Sequence, residues 1–206
     1  MTETPMESRQ ERYARQTNEQ YAALGRYVQH FELVCFSLRS IITLLLHRDG
    51  LKNQQLANII IGHRSVTAQM LLDTTCALLA EVHSDDKDAM HIMHHFRNRF
   101  AKEIQTRNDY LHGTWLIGWA SESQQEFSEI GGFKLNPSPK IGSEIKELAR
   151  SVLELQARID ELEEIQYGFN RLWGCLFLNR EVKTNFLILE GKYISPDLAK
   201  KRKLSC

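Results

Sequence analysis

IKELARSVLELQARIDELEEIQYGFNRLWGCL, residues 145 to 176, decides the fold class. Ile145, Leu148, Val152, Leu155, Ile159, Leu162, Phe169, Trp173 and Leu176 fall on a heptad seam that only Gln166 interrupts. Steps of three and four draw one apolar stripe along a helix, which predicts a helix roughly 50 Å long at 1.5 Å per residue. Such a stripe packs against neighbouring helices and has turns to spare for a partner subunit.

Working outward, Leu24, Val28, Phe31, Cys35, Leu38, Ile42 and Leu45 repeat the pattern. They predict a first helix that starts in the polar stretch before Tyr21 and stops near Asp49 and Gly50. Residues 52 to 82 are good helix formers with Ile60, Met70, Leu71, Leu78 and Leu79 available for burial, and Gly62 is where that helix would break. Ser84, Asp85 and Asp86 offer an N-cap and an acidic first turn to a third helix, which runs through Met93, Phe96, Phe100 and Ile104 to His112 and ends at Gly113. TWLIGWA and FSEIGGFKLN, closed by Pro137 and Pro139, are rich in aromatic and branched residues and predict a short β-hairpin or ordered loop between helices 3 and 4. The expected fold is all-α: a bundle of four long helices in a single domain spanning 1–206, with a polar extension over about 1–18 and a basic tail over about 196–206. No internal repeat is visible.

Composition narrows the function classes. The 206 residues carry 26 basic and 26 acidic side chains, so no whole-molecule field draws in nucleic acid or an anionic membrane, and a polyanion site must be a local patch. Cys35, Cys76, Cys175 and Cys206 are far apart and form no CxxC pair, which points to idle thiols in a reducing compartment. The N-terminus is too charged for a signal peptide and the run ITLLL too short for a bilayer, so a cytoplasmic protein without membrane contact is expected. Phosphate loops, GxSxG elbows and Walker lysines are missing from the sequence, which removes nucleotide hydrolysis and serine-hydrolase chemistry.

Chemistry concentrates in RNDYLHGTW, residues 107 to 115. On a helix Asn108 and His112 share a face and Arg107 sits one step round, with a side chain long enough to lean the same way. A guanidinium holds a phosphate through two parallel hydrogen bonds and stabilises charge developing on it. A histidine can take a proton from a 2′-hydroxyl or return one to a leaving oxygen near neutral pH. One imidazole does not easily do both, a physical reason for wanting two copies. Asp109 is either a further orienting group for the imidazole or a solvated surface carboxylate, and Tyr110 and Leu111 read as packing residues.

A long helix ending in Arg107, Asn108 and His112, preceded and followed by other long helices, resembles the HEPN superfamily. Its members are helical bundles bearing an Arg, usually a polar residue next, and a His four to six positions further on. The resemblance spans roughly Tyr21 to Leu178 as architecture but rests on this short motif as residues. It implies a metal-independent endoribonuclease that needs no cofactor, acts as a toxin or antiphage-defence (abortive-infection) effector, and builds its active site where two motifs meet in a homodimer. It also implies RNA as substrate and leaves room for an antitoxin or regulatory protein. Other members are catalytically silent interaction modules. Thr114 stands where antitoxin-regulated members carry a modified tyrosine, which puts that mode of regulation in doubt.

Arg97, Arg99 and Lys102 are the candidate RNA-binding patch on the same helix, with solvated helix charges as the alternative. His91 and His95, one turn apart with Asp88 a turn before, lack the further ligand that a metal site needs. The basic run at 200 to 203 reads as a solvated end, and Trp115 and Trp119 as packing residues or a pocket rim.

Overall fold

The computed structural model describes residues 7–48, 51, 53–83, 85–119, 123–138, 142–189, 192–198 and 201. The expected helix stop at Asp49 and Gly50, the cap residue Ser84, Pro139, Cys206 and most of the basic tail lie outside them. The chain is mainly helical, with small antiparallel sheets. In order it forms α1 (Arg9–Arg48), α2 (Gln54–Ile61), α3 (Ala68–Val82), α4 (Lys87–His112), β1 (Thr114–Trp115), β2 (Glu129–Ser138), β3 (Gly142–Ser151), α5 (Val152–Phe177), a 3-10 turn (Lys183–Asn185), β4 (Leu187–Leu189) and β5 (Lys192–Ile194). These fall into two compact units, one of residues 1–29 and 106–159, the other of 30–105 and 160–206, and α1, α4 and α5 each contribute a stretch to both.

Local chemistry sets the helix ends. Ser8 and Glu11 form a capping box: the Glu11 amide donates to Ser8 Oγ at 3.3 Å and the Ser8 amide to Glu11 Oε2 at 2.9 Å. Asn53, Thr67 and Asp86 cap α2, α3 and α4, each side-chain oxygen accepting from an amide of the first turn. Gly62 does end α2. Asn179, at φ 50°, takes the left-handed conformation just past α5, where the Arg180 amide reaches back to Cys175 O at 2.8 Å.

In the first unit the expected polar extension is already helix from Arg9, because its polar side chains bind backbone. Gln16 is buried and its Oε1 accepts from the Phe127 amide at 2.8 Å. Gln20, also buried, donates through Nε2 to Phe127 O and to Glu129 O. Tyr13 Oη donates to Gly118 O at 2.8 Å, and Arg9 Nε to Gln124 O at 2.9 Å. Backbone groups of Gly118, Gln124, Phe127 and Glu129 are thereby satisfied by side chains of α1.

The expected hairpin or loop is a three-stranded antiparallel sheet of order β1-β2-β3. It takes in Ile145 and Leu148, which the heptad reading gave to the last helix. Ile145 pairs with Leu135 and Leu148 with Gly132. Positions three apart on a strand point to opposite faces, so Leu148 is buried while Ile145 is 64% exposed. Ser151 ends the strand and caps α5, its Oγ accepting from the Glu154 amide at 3.1 Å. The helix therefore spans 26 residues, about 39 Å, rather than the expected length.

The second unit has an aromatic core. Phe100 lies between Phe31 and Phe169, with ring centroids 5.2 and 6.4 Å away, and Phe96 meets Phe169 and Phe186 at 5.8 and 5.9 Å. Gly168 is where the Phe96 ring lies against the backbone, so close that a Cβ there would collide with it. Leu71 and Leu79 are buried as expected, whereas Ile60 and Met70 are exposed. The sequence reading missed Ile60 because α2 is only two turns long and turns Leu56, Ile59 and Ile60 outward while Ala57 and Ile61 face in. Over eighteen residues, rather than the run ITLLL alone, α1 is apolar enough to cross a membrane, a test that core helices also pass. Its Val34, Leu38, Ile41, Ile42 and Leu45 are buried.

Candidate functional site

The motif occupies the last two turns of α4, in the first unit. Arg107 and Asn108 are half-buried, Asp109 and Tyr110 buried, Leu111 and His112 exposed. At 100° per residue Asn108 and His112 are about 40° apart around the helix, and Arg107 and His112 about 140°. The Cα–Cβ bonds of Arg107 and His112 therefore leave the helix in divergent directions.

Gly113 ends the helix by absence of a side chain rather than by a left-handed turn. A Cβ there would lie 2.6 Å from Leu148 Cδ1 and 2.8 Å from Asp109 O. That close approach lets Trp115 fold back, its indole Nε1 donating to Tyr110 O at 2.6 Å and its ring 5.5 Å from that of Tyr110. Tyr27 meets the other side of Tyr110 edge-on at 4.9 Å, and the Arg150 guanidinium lies 5.6 Å from its ring centroid. Burial raises the pKa of the Tyr110 hydroxyl above its ordinary value. Tyr110 thus anchors the last turn, and Trp115 shares that packing, while Trp119 is 77% exposed.

Asp109 neither faces solvent nor turns to the imidazole. Its Oδ1 accepts from Lys134 Nζ at 2.9 Å and its Oδ2 from Lys146 Nζ at 2.8 Å. The two lysines sit directly opposite each other on β2 and β3. Like charges facing across a strand pair repel, and the carboxylate neutralises that repulsion while tying the sheet to α4. Burial pushes its pKa up, but the hydrogen bonds and charges of Lys146 and Lys134 outweigh this and hold it below the ordinary value. Lys134 and Lys146 are site residues that the sequence reading missed. Their available signal was modest: each is a lone lysine between apolar or acidic neighbours in segments that pair as a hairpin.

The candidate phosphate-binding patch lies in the second unit. Lys102 is exposed. Arg97 bonds Asp73 at 3.2 Å. Arg99 is nearly buried and spans both oxygens of Glu161, at 2.6 and 2.7 Å, while also binding Glu164. That guanidinium ties α4 to α5 and has little left for a phosphate. His91 and His95 clasp an aromatic ring: Tyr193 of β5 meets both imidazoles edge-on with centroids at 5.5 Å. Asp88 bonds Lys183. Among the described residues no group of three or more His, Cys, Asp or Glu is placed to hold a metal ion.

Compared with known proteins, the chain matches no family description, no curated protein and no solved structure.

Proposed function

We propose that the protein is a cytoplasmic, HEPN-like endoribonuclease that cleaves RNA without a metal or cofactor and acts as a homodimer, in the role of a toxin or antiphage-defence effector. The reading takes α1, α3, α4 and α5 as the four long helices of such a bundle. The observation that carries it is the placing of Arg107, Asn108 and His112 at the exposed end of a 26-residue helix, with the imidazole in solvent and the guanidinium half-buried. The divergence of Arg107 and His112 within one chain supports the two-copy requirement. Arg107 from one chain would grip the scissile phosphate, and His112 would take the 2′-hydroxyl proton or protonate the leaving 5′-oxygen. Asn108 would orient one of these groups by hydrogen bonding. The products are a 2′,3′-cyclic phosphate and a 5′-hydroxyl. Lys102, and Arg97 once released from Asp73, would extend the contact to the RNA backbone.

Incubating purified protein with mixed RNA in EDTA tests this. Cleavage that persists in EDTA and disappears in both His112→Ala and Arg107→Ala, with circular dichroism unchanged, is the expected result. Inert wild-type protein favours the second reading, a catalytically silent module that binds a protein partner. Its support is the outer sheet face, where Leu135 and Ile145 pair and stand exposed.

A further inference from the structure

A cavity of about 580 Å³ opens in the second unit, walled by α1, α2 and α5. Its volume is that of a small-molecule site. One wall is a flat aromatic slab: Trp173 and Phe177, one turn apart on α5, stack nearly parallel at 8° with centroids 5.1 Å apart. Phe36 faces the cavity from α1 and Ile61 from α2, and both Phe36 and Phe177 are more than half exposed. Large aromatic surface left open to water is costly unless something covers it.

The polar lining is sparse and of one sign. Arg39 and His47 are its ionisable groups, and no carboxylate is among the described residues that line it. Arg39 has no hydrogen bond or ion pair from its guanidinium to another described residue. Ser40 and Thr43 spend their hydroxyl protons on the carbonyls of Phe36 and Arg39, at 3.0 and 2.9 Å, which leaves the Asn58 amide as the neutral side-chain donor for a polar ligand. A nucleotide would leave its phosphates with one arginine and its base edge with one amide. A neutral hydrocarbon would leave the guanidinium unused.

We propose that this cavity binds a small aromatic monocarboxylate, its ring system stacked on the Trp173, Phe177 and Phe36 surfaces and its carboxylate held by Arg39. The guanidinium offers two parallel donors to a carboxylate, and the wall that carries it belongs to the same helix as Phe36, so both ends of the ligand are held by adjacent turns. The site is separate from the motif at the end of α4 and its occupancy does not depend on RNA cleavage.

Titration of the full chain with 2-naphthoate, followed by calorimetry and by quenching of indole fluorescence, tests the assignment. Saturable one-to-one binding is expected, with a dissociation constant of about 0.1 mM for a ligand of this size. Arg39→Gln should weaken it about tenfold or more, and 2-naphthalenemethanol should bind the wild type no better than naphthoate binds that variant. Ser40→Trp, which fills the cavity from a half-exposed helix position, should abolish binding without loss of helical circular dichroism. Absence of saturation into the millimolar range overturns the proposal, as does equal affinity of wild type and Arg39→Gln. Tighter binding of decanoate or of adenosine monophosphate than of naphthoate also overturns it. So does loss of naphthoate binding as the protein self-associates, which would assign the surface to a second copy of the chain.

Discussion

Replacing Asp109 by asparagine removes one charge and leaves two lysines facing each other. In the wild type the carboxylate side chain is 12% exposed, Lys134 18% and Lys146 50%. The Lys146 contact is half in water and is worth about 0.5 kcal/mol. The Lys134 contact is largely out of water, and its loss, with the uncovered lysine repulsion, adds about 1.5 kcal/mol. The carbonyl of the substituted amide would still accept one bond, so a total near 2 kcal/mol is expected, or a urea midpoint lower by about 0.8 M at a slope of about 2.5 kcal/mol per M. The pH dependence follows from the depressed pKa. A carboxyl held below its unfolded value of about 3.9 contributes stability above that value and loses it as pH falls through the folded pKa. Urea unfolding followed by indole fluorescence, in which Trp115 reports beside Tyr110, should show the gap between wild type and Asp109→Asn constant from pH 7 to 5 and closing as the pH drops toward 3. A midpoint difference under about 0.2 M at pH 7, or a gap unchanged in acid, would refute the argument that this carboxylate ties the sheet to α4.

Gly168→Ala should destabilise by about 2 kcal/mol in thermal unfolding, because its methyl meets the Phe96 ring, whereas Gly174→Ala, on the same helix with open space around it, should stabilise by about 0.5–1 kcal/mol. Burial lifts the Cys76 thiol to about 11, so in a Cys206→Ser background it should resist iodoacetamide at pH 8 and react only as the pH approaches that value. Arg99→Ala should lower stability by about 3 kcal/mol by stranding Glu161 and breaking the tie to Glu164, and Arg99→Gln should restore little of it, as denaturant midpoints would show. In the RNA assay, Lys102→Ala should weaken substrate binding and its salt dependence.

The apolar stripes were legible because burial follows helical period. Phe31, Cys35, Leu38, Ile42 and Leu45 on α1, and Met93, Phe96, Phe100 and Ile104 on α4, are all buried. The first seven residues of the quoted stretch misled because IKELARS has helix-forming composition, and its strand pairing is set by residues 10 to 22 positions away. A local sign was present: Ser151 and Glu154 have the spacing of a capping box and mark the true helix start inside the apparent heptad. The polar start of α1 was missed for the opposite reason, since Gln16 and Gln20 are buried by bonding a segment more than a hundred residues away. At the site, the motif residues and the helix end at Gly113 were readable from local sequence. The fate of Asp109 was not, because its partners come from two strands whose register no short window contains.

The first unit is fastened to its own helices by two unlike sets of bonds. Amides hold residues 127 to 129 to α1, and these bonds carry no charge that acid could remove or salt could screen. A carboxylate between two ammonium groups holds the strands to α4, and both agents act on it. Acid strong enough to protonate that carboxylate, or concentrated salt, would therefore weaken the tie between the strands and α4 beside the motif while residues 127 to 129 stay moored to α1.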